Sequence, residues 1–392
     1  MPDSPIAPAI AAIRAGNFEQ ARKLCEELLA NNPDDFAANS TLCFLCIETD
    51  QRDAAERIIA RLLARNDLTA KQRCELASRI FEAGRIGEAV SWLGAQVAAD
   101  PRDPSIFWSR GVLQERWGDH AGAAESYACA AERDPTYHGV AEHLRQLREH
   151  IGRNDTLRGN VDRVGRAIAD KLGDAVLTGP FKGMKFAPNI DISWPAELVG
   201  CYEQDLHPIL EALIATGQHR TIVDIGTSGG YYAVGMARRC PQAKVIGYEM
   251  DLARRAACEQ VALNNHVRDR LELRGECTRA ELLSLDSLPQ PALIICDCEG
   301  GELDLLQPAT VPLLRRSEIL VEVHDFILPR LERRLLARFA ATHATTRVGA
   351  VAPFPNSYQH LLPFLSPEDL QLAVSDFRPT GMTWLALRPI AL

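Results

Sequence analysis

Two cysteines and two acids follow one another in the stretch ALIICDCEGGELDLL, residues 292–306. Cys296, Asp297, Cys298 and Glu299 end an apolar run that is typical of a buried strand. Alternate side chains of a strand point to opposite faces, so the two cysteines share one face and the two acids share the other. Zinc ligation by the thiolates would require further clustered ligands, which we do not find. We therefore predict that the cysteines pack in the core and that the acids are the functional pair.

A glycine-rich segment, GTSGGYYAVG at residues 226–235, follows the apolar run TIVDI. Glycines at a strand-to-helix turn let the backbone pass close to a ligand, and the next helix offers free N–H groups. A dinucleotide-binding turn has the pattern G-x-G-x-x-G, but Ser228 and Tyr231 occupy its second and third glycine positions. Glu249 ends the next apolar run, where an acid that binds ribose hydroxyls is expected. These features predict a nucleotide-type cofactor and weaken, without excluding, an NAD-dependent oxidoreductase.

Short apolar runs alternate with amphipathic helical segments throughout the C-terminal half. The runs are TIVDIG, AKVIGYEM, LELRGEC, ALIICDC, EILVEVH and MTWLALRP, and segments such as DLARRAACEQVALNN and RLERRLLARFAATH lie between them. This alternation predicts a mostly parallel sheet with helices on both faces and ligands at the carboxyl ends of the strands. The chemistry is therefore expected in the loops that follow the strands.

The N-terminal half repeats itself. Three sets of positions recur at a spacing of 34 residues: Gly16, Asp50, Gly84 and Gly118; Ala21, Ala55, Ala89 and Ala123; and Pro33, Asp67, Pro101 and Pro135. Apolar residues at i, i+3, i+4 and i+7 between these positions predict helices. The pattern resembles the tetratricopeptide repeat, which implies paired helices stacked into a solenoid that binds a peptide, a protein partner or a second copy of the chain.

Composition limits the possible functions. The chain has 392 residues, of which 46% are hydrophobic, and this length suits two folded domains. Its net charge of -9 argues against nucleic acid or a membrane surface as the partner. Eleven cysteines scattered among apolar residues suit reduced thiols, and with no leader or membrane span recognised we expect a cytoplasmic protein. The expected domains are a repeat domain at 1–150, a linker and lead-in at 151–180, and a catalytic domain at 181–392.

The order of motifs in the C-terminal half resembles class I S-adenosylmethionine-dependent methyltransferases of the FkbM type. The resemblance is carried by LVGCYEQDLHPIL, VDIGTSGGYYAVGMA, VIGYEMD, ALNNHV, CDCEGGELDLL and ILVEVHD. It implies a Rossmann-like domain that uses S-adenosylmethionine. The residues it assigns to the cofactor site are Tyr202, Asp224, Gly226, Ser228, Gly230, Tyr231, Glu249, Met250, Glu276, Cys277 and Asp297, with Glu276 and Cys277 near the adenine and Asp297 near the methionine amine.

The resemblance also implies a catalytic group. His324, with Asp297 and with Glu299 or Asp325, is expected to face the transferred methyl group. A histidine is suited to act as the base because its ordinary pKa is close to neutrality, although an orienting role beside an acid is equally consistent. In a minority alternative, Asp297, Glu299, His324 and Asp325 bind a divalent cation such as magnesium or manganese.

The sequence thus predicts an enzyme that methylates an oxygen, or less readily a nitrogen, on a small molecule, a sugar or a peptide. Its repeat domain is expected to bind a protein partner or to mediate self-association. The alternative is an interaction protein whose methyltransferase-like domain only binds a nucleotide. The identity of the acceptor depends on a pocket assembled from distant loops, so the motifs do not specify it.

Overall fold

The structure is a computed structural model that describes residues 4–97, 100–186, 193–379 and 381–390. By its internal contacts the chain divides into two compact units. The first unit contains residues 1–152 together with 326–330, and the second contains residues 153–325 and 331–392. No helix among the described residues is both long enough and apolar enough to cross a membrane.

Paired helices build the first unit. They are α1 (Ala7–Arg14), α2 (Phe18–Asn31), α3 (Phe36–Glu48), α4 (Arg52–Leu63), α5 (Ala70–Glu82), α6 (Ile86–Val97), α7 (Pro104–Arg116) and α8 (His120–Arg133). Side chains at the N-caps satisfy N–H groups of the first turns: Asp35 accepts from Ala38, and Thr69 forms a capping box with Gln72. The predicted helical repeat architecture is confirmed.

The repeating positions of the sequence have repeating structural roles. Gly16, Asp50, Gly84 and Gly118 each lie between the two helices of a pair, and each has a positive φ, of 75°, 54°, 87° and 84° respectively. Ala21, Ala55, Ala89 and Ala123 are at most 2% exposed. A left-handed turn residue and a small buried residue therefore recur in every pair, because each pair closes in the same way.

The division between the units falls within α9 (Val140–Leu172). Residues 151–172 of the predicted linker are therefore helical, despite Gly152 and Gly159. Val161, Val164 and Ile168 on this helix are fully buried, and the Trp194 indole N–H donates to Asp162 at 2.9 Å. The C-terminal part of α9 thus belongs to the core of the second unit.

A seven-stranded sheet forms the centre of the second unit. Its strands are β1 (Thr221–Ile225), β2 (Lys244–Tyr248), β3 (Leu271–Arg274), β4 (Ala292–Cys296), β5 (Glu318–Val323), β6 (His343–Gly349) and β7 (Thr383–Pro389). The strand order is β3-β2-β1-β4-β5-β7-β6. Strands β1 to β5 pair in parallel, whereas β7 is antiparallel to both β5 and β6. The strand order reverses between β1 and β4, which makes this the topological switch point of the sheet. In such sheets the carboxyl ends of the strands at the switch point form a crevice suited to a ligand.

Helices connect and cover the strands. They are α10 (Trp194–Val199), α11 (His207–Thr216), α12 (Tyr231–Arg239), α13 (Leu252–Asn264), α14 (Arg279–Ser284), α15 (Glu302–Leu305), α16 (Pro312–Arg316), α17 (Leu331–Phe339) and α18 (Pro367–Val374). The predicted mostly parallel sheet is confirmed, and six of its strands coincide with the predicted apolar runs. Strand β6 was not predicted, because most of its side chains are exposed and it lacks an apolar run.

Candidate functional site

The turn after β1 is held by backbone groups. The N–H groups of Gly226 and Thr227 both donate to the carbonyl oxygen of Tyr248 at the end of β2, at 2.9 and 3.0 Å. Gly226 has a φ of +92°, and a Cβ atom placed on it would lie 1.7 Å from the carbonyl oxygen of Asp297. Only glycine fits, because the β1 turn and the end of β4 touch at this point.

Gly230 closes the same turn and is the N-cap of α12, with a φ of +97°. A Cβ atom there would lie 2.8 Å from the sulfur of Cys258. The two glycines thus allow chain segments to approach each other, and that they also let the backbone pass close to a ligand stays a prediction. Ser228 between them also has a positive φ, of 43°.

Glu249, directly after β2, binds the turn through both carboxylate oxygens. Oε2 accepts from the Ser228 N–H at 3.0 Å, and Oε1 accepts from the Asp251 N–H at 2.8 Å. Glu249 is only 8% exposed, whereas the adjacent Met250 is 63% exposed. Each carboxylate oxygen can accept a second hydrogen bond, so Glu249 can hold the turn and still make the predicted ribose contact.

Three further predicted cofactor residues lie around this turn. Asp224 in β1 is buried, and burial raises its pKa to about 7, opposed by a hydrogen bond from the Ala233 backbone. Tyr202 and Tyr231 pack edge to face with ring centroids 5.4 Å apart. The buried Tyr231 hydroxyl has no hydrogen-bond partner among the described residues. Asp224 and Tyr231 thus bring polar groups with unused bonding capacity to the turn.

Glu276 and Cys277 lie in the loop after β3, the strand next to β2. Glu276 is exposed and Cys277 is half-buried. Burial raises the pKa of Cys277 well above its usual range, so this thiol is a poor nucleophile. Their position at the same edge of the sheet is compatible with the predicted adenine contact, which stays a prediction.

The second part of the site is a buried imidazole surrounded by acids. His324 follows β5 and is fully buried. Its Nδ1 lies 2.8 Å from Glu302 Oε1. Its Nε2 lies 3.5 Å from Asp297 Oδ1, 3.4 Å from Glu299 Oε2 and 3.5 Å from Glu322 Oε2. We call His324 and these four acids the His324 cluster.

The structure brings Asp297, Glu299 and His324 together, as the sequence predicted, but strand alternation is not the reason. Strand β4 ends at Cys296, and Glu299 has a positive φ of 52°, so strand alternation does not extend to residues 297–299. The two acids nevertheless reach the same imidazole, while the sulfur atoms of Cys296 and Cys298 lie 3.6 Å apart. Asp325 does not join the cluster: it is exposed, and its Oδ1 accepts from the Glu332 N–H at 2.9 Å.

Sequence reasoning missed two acids of the cluster. Glu302 is fully buried at the start of α15 and also accepts from the Cys298 N–H at 3.2 Å. Glu322 is 4% exposed within β5. Glu322 had a signal in the sequence, because it is a charged residue in an apolar strand and shares a strand face with His324 two residues later.

A second group of charges adjoins the cluster. Arg378 pairs with Asp205 at 2.7 Å and Asp376 at 2.9 Å, and lies 3.9 Å from both Glu203 and Glu322. Glu203 is fully buried and accepts a hydrogen bond from the Tyr232 hydroxyl. Burial raises the pKa of Glu203 to about 7, although the charge of Arg378 opposes this. Arg378 therefore links acids from three distant segments of the chain.

Electrostatics within the cluster bear on its chemistry. Burial alone would lower the pKa of His324, but the negative charges of Glu302, Glu299 and Asp297 outweigh it and raise the pKa to about 10. Burial would raise the pKa of Glu302, but the charge and hydrogen bond of His324 lower it. Burial raises the pKa of Asp297 and Glu322 above their usual ranges. In this state His324 is protonated near neutral pH and donates to Glu302, which disfavours it as the base.

Comparison with known proteins describes the two halves separately. A tetratricopeptide-repeat family model matches residues 12–73. A thermophilic repeat protein of this type from Thermus thermophilus is 20% identical, with 42% of this chain and 88% of that chain covered and a TM-score of 0.30. No curated protein matches the chain.

Two solved O-methyltransferases are also similar. One, from Bacillus cereus in complex with S-adenosylhomocysteine, is 15% identical, with 59% of this chain and 90% of that chain covered and a TM-score of 0.34. The other, TomG from Streptomyces achromogenes, involved in tomaymycin synthesis and bound to S-adenosylmethionine, is 15% identical, with 52% and 91% covered and a TM-score of 0.33. At these identities and TM-scores the likeness assigns no role to this chain.

Proposed function

We propose that this chain is an S-adenosylmethionine-dependent methyltransferase that methylates an oxygen atom of a small molecule, a sugar or a peptide. The main support is that the turn after β1 touches the end of β4, where Asp297 begins the His324 cluster. A cofactor held at the turn would therefore lie beside a group of acids that can accept a proton. Such proximity is what a methyl transfer to a hydroxyl requires.

The residues around the turn fit this cofactor. Glu249 has unused acceptor capacity for a ribose diol, and the exposed thioether of Met250 offers an apolar surface for a base. The hydroxyl of Tyr231, which has no hydrogen-bond partner in the part of the chain that the structure describes, can donate to a carboxylate. When bound, S-adenosylmethionine supplies a methyl group on a sulfonium whose sulfide is the leaving group.

The remaining chemistry belongs to the chain. The acceptor hydroxyl has to lose a proton as its oxygen bonds to the methyl carbon. The Glu299 side chain is 65% exposed and 3.4 Å from His324 Nε2, so it is the acid of the cluster that an acceptor reaches most directly. We propose that Glu299 receives the proton and that Asp297 and His324 position it. His324 is thus assigned the orienting role rather than that of the base.

Ligand-dependent stabilisation tests the cofactor assignment. S-adenosylhomocysteine at a hundredfold excess over its Kd should stabilise the protein by about 2.7 kcal/mol. Glu249→Gln should weaken binding at least tenfold, because it loses a charged acceptor at the turn. Glu211→Gln, which alters a surface acid paired with Arg239, is the matched control and should bind normally. Equal stabilisation of Glu249→Gln and the parent would contradict this site.

Transfer of a labelled methyl group tests the enzymatic assignment. Glu299→Gln should lower turnover by about a hundredfold while S-adenosylhomocysteine binds as tightly as before. A protein that binds the cofactor but methylates no acceptor among small molecules, sugars and peptides would instead favour the nucleotide-binding interaction protein.

We further propose that the repeat unit binds a protein partner or a second copy of the chain. The support is the regular stacking of helix pairs, an architecture that presents extended binding surfaces. Sedimentation of the full chain over a range of concentrations tests self-association. A chain that stays monomeric at all concentrations would exclude self-association, and the repeat unit would then bind a different protein.

A further inference from the structure

Beyond this proposed function, the geometry points to a divalent-cation site formed by the carboxylates of Asp297 and Glu322 and the imidazole of His324. The cation would be a first-row transition ion such as manganese, because the site combines two oxygen ligands with one imidazole nitrogen. Asp297 and His324 were candidate ligands from the sequence. Glu322 takes the place of Asp325, which lies outside the cluster.

Distances within the cluster suit a single ion. Ligand atoms bound at about 2.1 Å lie about 3.0 Å apart at a right angle and about 3.4 Å apart at the tetrahedral angle. His324 Nε2 is 3.5 Å from both Asp297 Oδ1 and Glu322 Oε2. One ligand atom from each of the three residues lies within 4.8 Å of the others. Small side-chain movements would bring all three onto one cation.

His324 is held in the orientation that a metal ligand needs, and a cation bound at Nε2 would displace the proton that this nitrogen carries near neutral pH. Glu302 is fully buried and its Oε1 lies 2.8 Å from His324 Nδ1. A carboxylate accepts, so Nδ1 carries the hydrogen, and Nε2 is the nitrogen that faces Asp297 and Glu322. A carboxylate behind a histidine fixes the ring and its tautomer in many metal sites. Glu302 would thus be a positioning residue that does not itself touch the cation.

Glu322 gives an independent reason to expect a cation here. It is 4% exposed, and its Oε2 points to His324 Nε2. Its Oε1 has no hydrogen-bond donor among the described residues, and Arg378 Nη1 is 3.9 Å away and closer to other acids. A buried carboxylate with so few donors is costly unless a cation compensates for it. A bound cation would also relieve the repulsion among four acids that surround one imidazole.

Glu299 gives the site an open side. Its side chain is 65% exposed and 3.4 Å from His324 Nε2, so solvent or an acceptor can approach there. An acceptor hydroxyl bound to the cation would lose its proton to Glu299 more readily. This last step rests on the proposed methyltransferase function, whereas the cation site itself does not.

Binding of Mn²⁺ to the full chain, after removal of metals with a chelator and without cofactor, tests the site. We expect one tightly bound Mn²⁺ per chain, measured by the electron paramagnetic resonance signal of the free ion. Pulsed resonance of the bound ion should show coupling to an imidazole nitrogen. The absence of tight binding, or a bound ion without nitrogen coupling, would overturn the proposal.

Variants locate the ion. Asp297→Asn and Glu322→Gln should each lower Mn²⁺ affinity at least tenfold, and Glu302→Gln should lower it about tenfold to a hundredfold. Asp325→Asn, next to His324 but outside the cluster, should bind Mn²⁺ normally. Wild-type affinity in folded Asp297→Asn and Glu322→Gln would overturn the proposal. If Glu322→Gln does not fold, the Mn²⁺ affinity of Asp297→Asn, a change at a partly exposed residue, and the nitrogen coupling of the wild type still test the site. Because no cofactor is present, a failure here is distinct from a failure to bind S-adenosylhomocysteine.

Discussion

The turn at Gly226 and the His324 cluster touch each other but are built differently. Backbone groups form the turn: the N–H groups of Gly226 and Thr227 share the Tyr248 carbonyl, and position 226 has no room for a side chain. Side-chain charges form the cluster, and they come from the end of β4, from α15 and from β5. The turn should therefore be sensitive to added volume, and the cluster should be sensitive to lost charge.

The largest effect is expected for Gly226→Ala. The new Cβ atom would overlap the Asp297 carbonyl oxygen, 1.7 Å away, at a φ of +92°. Gly226 and Asp297 directly follow the paired residues Ile225 and Cys296, so the pairing of β1 with β4 limits how far either segment can shift. We expect the free energy of unfolding to fall by more than about 4 kcal/mol, as measured by denaturant titration.

Gly217→Ala is the matched control. Gly217 also has a positive φ, of +58°, but a Cβ atom there would meet nothing within 4 Å. The loss should be about 1 to 2 kcal/mol, the usual cost of the left-handed conformation. Equal losses of unfolding free energy in the two variants would show that the left-handed conformation, rather than the close approach to Asp297, is why a glycine is needed at position 226.

Charge loss in the cluster should have the next largest effect. Glu302→Ala leaves the buried His324 Nδ1–H and the Cys298 N–H without their acceptor. We expect a loss of about 3 kcal/mol in the free energy of unfolding, typical of a broken buried charge pair. Glu299→Ala removes an acid from the same imidazole, but its side chain is 65% exposed, so it should change stability by less than about 0.5 kcal/mol. Similar losses in the two variants would contradict the assigned importance of burial.

The same contrast explains what the sequence could predict. The repeats were recognisable because one local geometry recurs: Gly16, Gly84 and Gly118 have positive φ values, and Asp50 adopts the same conformation. Strands β1, β2, β4 and β5 were recognisable because burial on both faces makes their runs apolar. Strand β6 has a mostly exposed edge position and leaves no such pattern.

The site was predictable only where it is local. Asp297, Glu299 and His324 directly follow predicted strands, and the sheet brings these loops to one edge. Glu203 and Arg378 are far from them in sequence and join only through the tertiary fold. The pKa of His324 depends at once on its burial and on three acids, Glu302, Glu299 and Asp297, so no motif could predict that it is raised.

Arg378 lets the role of these distant residues be measured. A lysine keeps the positive charge but loses the planar donors that reach Asp205 and Asp376. Arg378→Lys should therefore cost about 2 kcal/mol of unfolding free energy. Arg388→Lys is the control, since Arg388 is exposed and has one ion pair, at 3.5 Å, to Glu318; it should change stability by less than about 0.5 kcal/mol. If Arg378→Lys leaves the free energy of unfolding unchanged, the positive charge alone, without directed hydrogen bonds, holds these acids.

The smallest effect is expected for Cys298→Ala, which tests whether the thiols share the role of the acids. The sulfur lies 3.6 Å from Cys296 Sγ and 3.7 Å from Glu302 Oε1, and its pKa is raised well above the usual range by its contact with Cys296 and by burial. A thiol in that state is a poor nucleophile at neutral pH, and Mn²⁺ prefers oxygen ligands to sulfur. Removing it should lower the unfolding free energy by about 1 kcal/mol through lost packing, and should leave the affinities for Mn²⁺ and S-adenosylhomocysteine within about twofold of the parent. A drop in Mn²⁺ affinity as large as that of Asp297→Asn would make Cys298 a ligand, and the division between packing thiols and functional acids would fail.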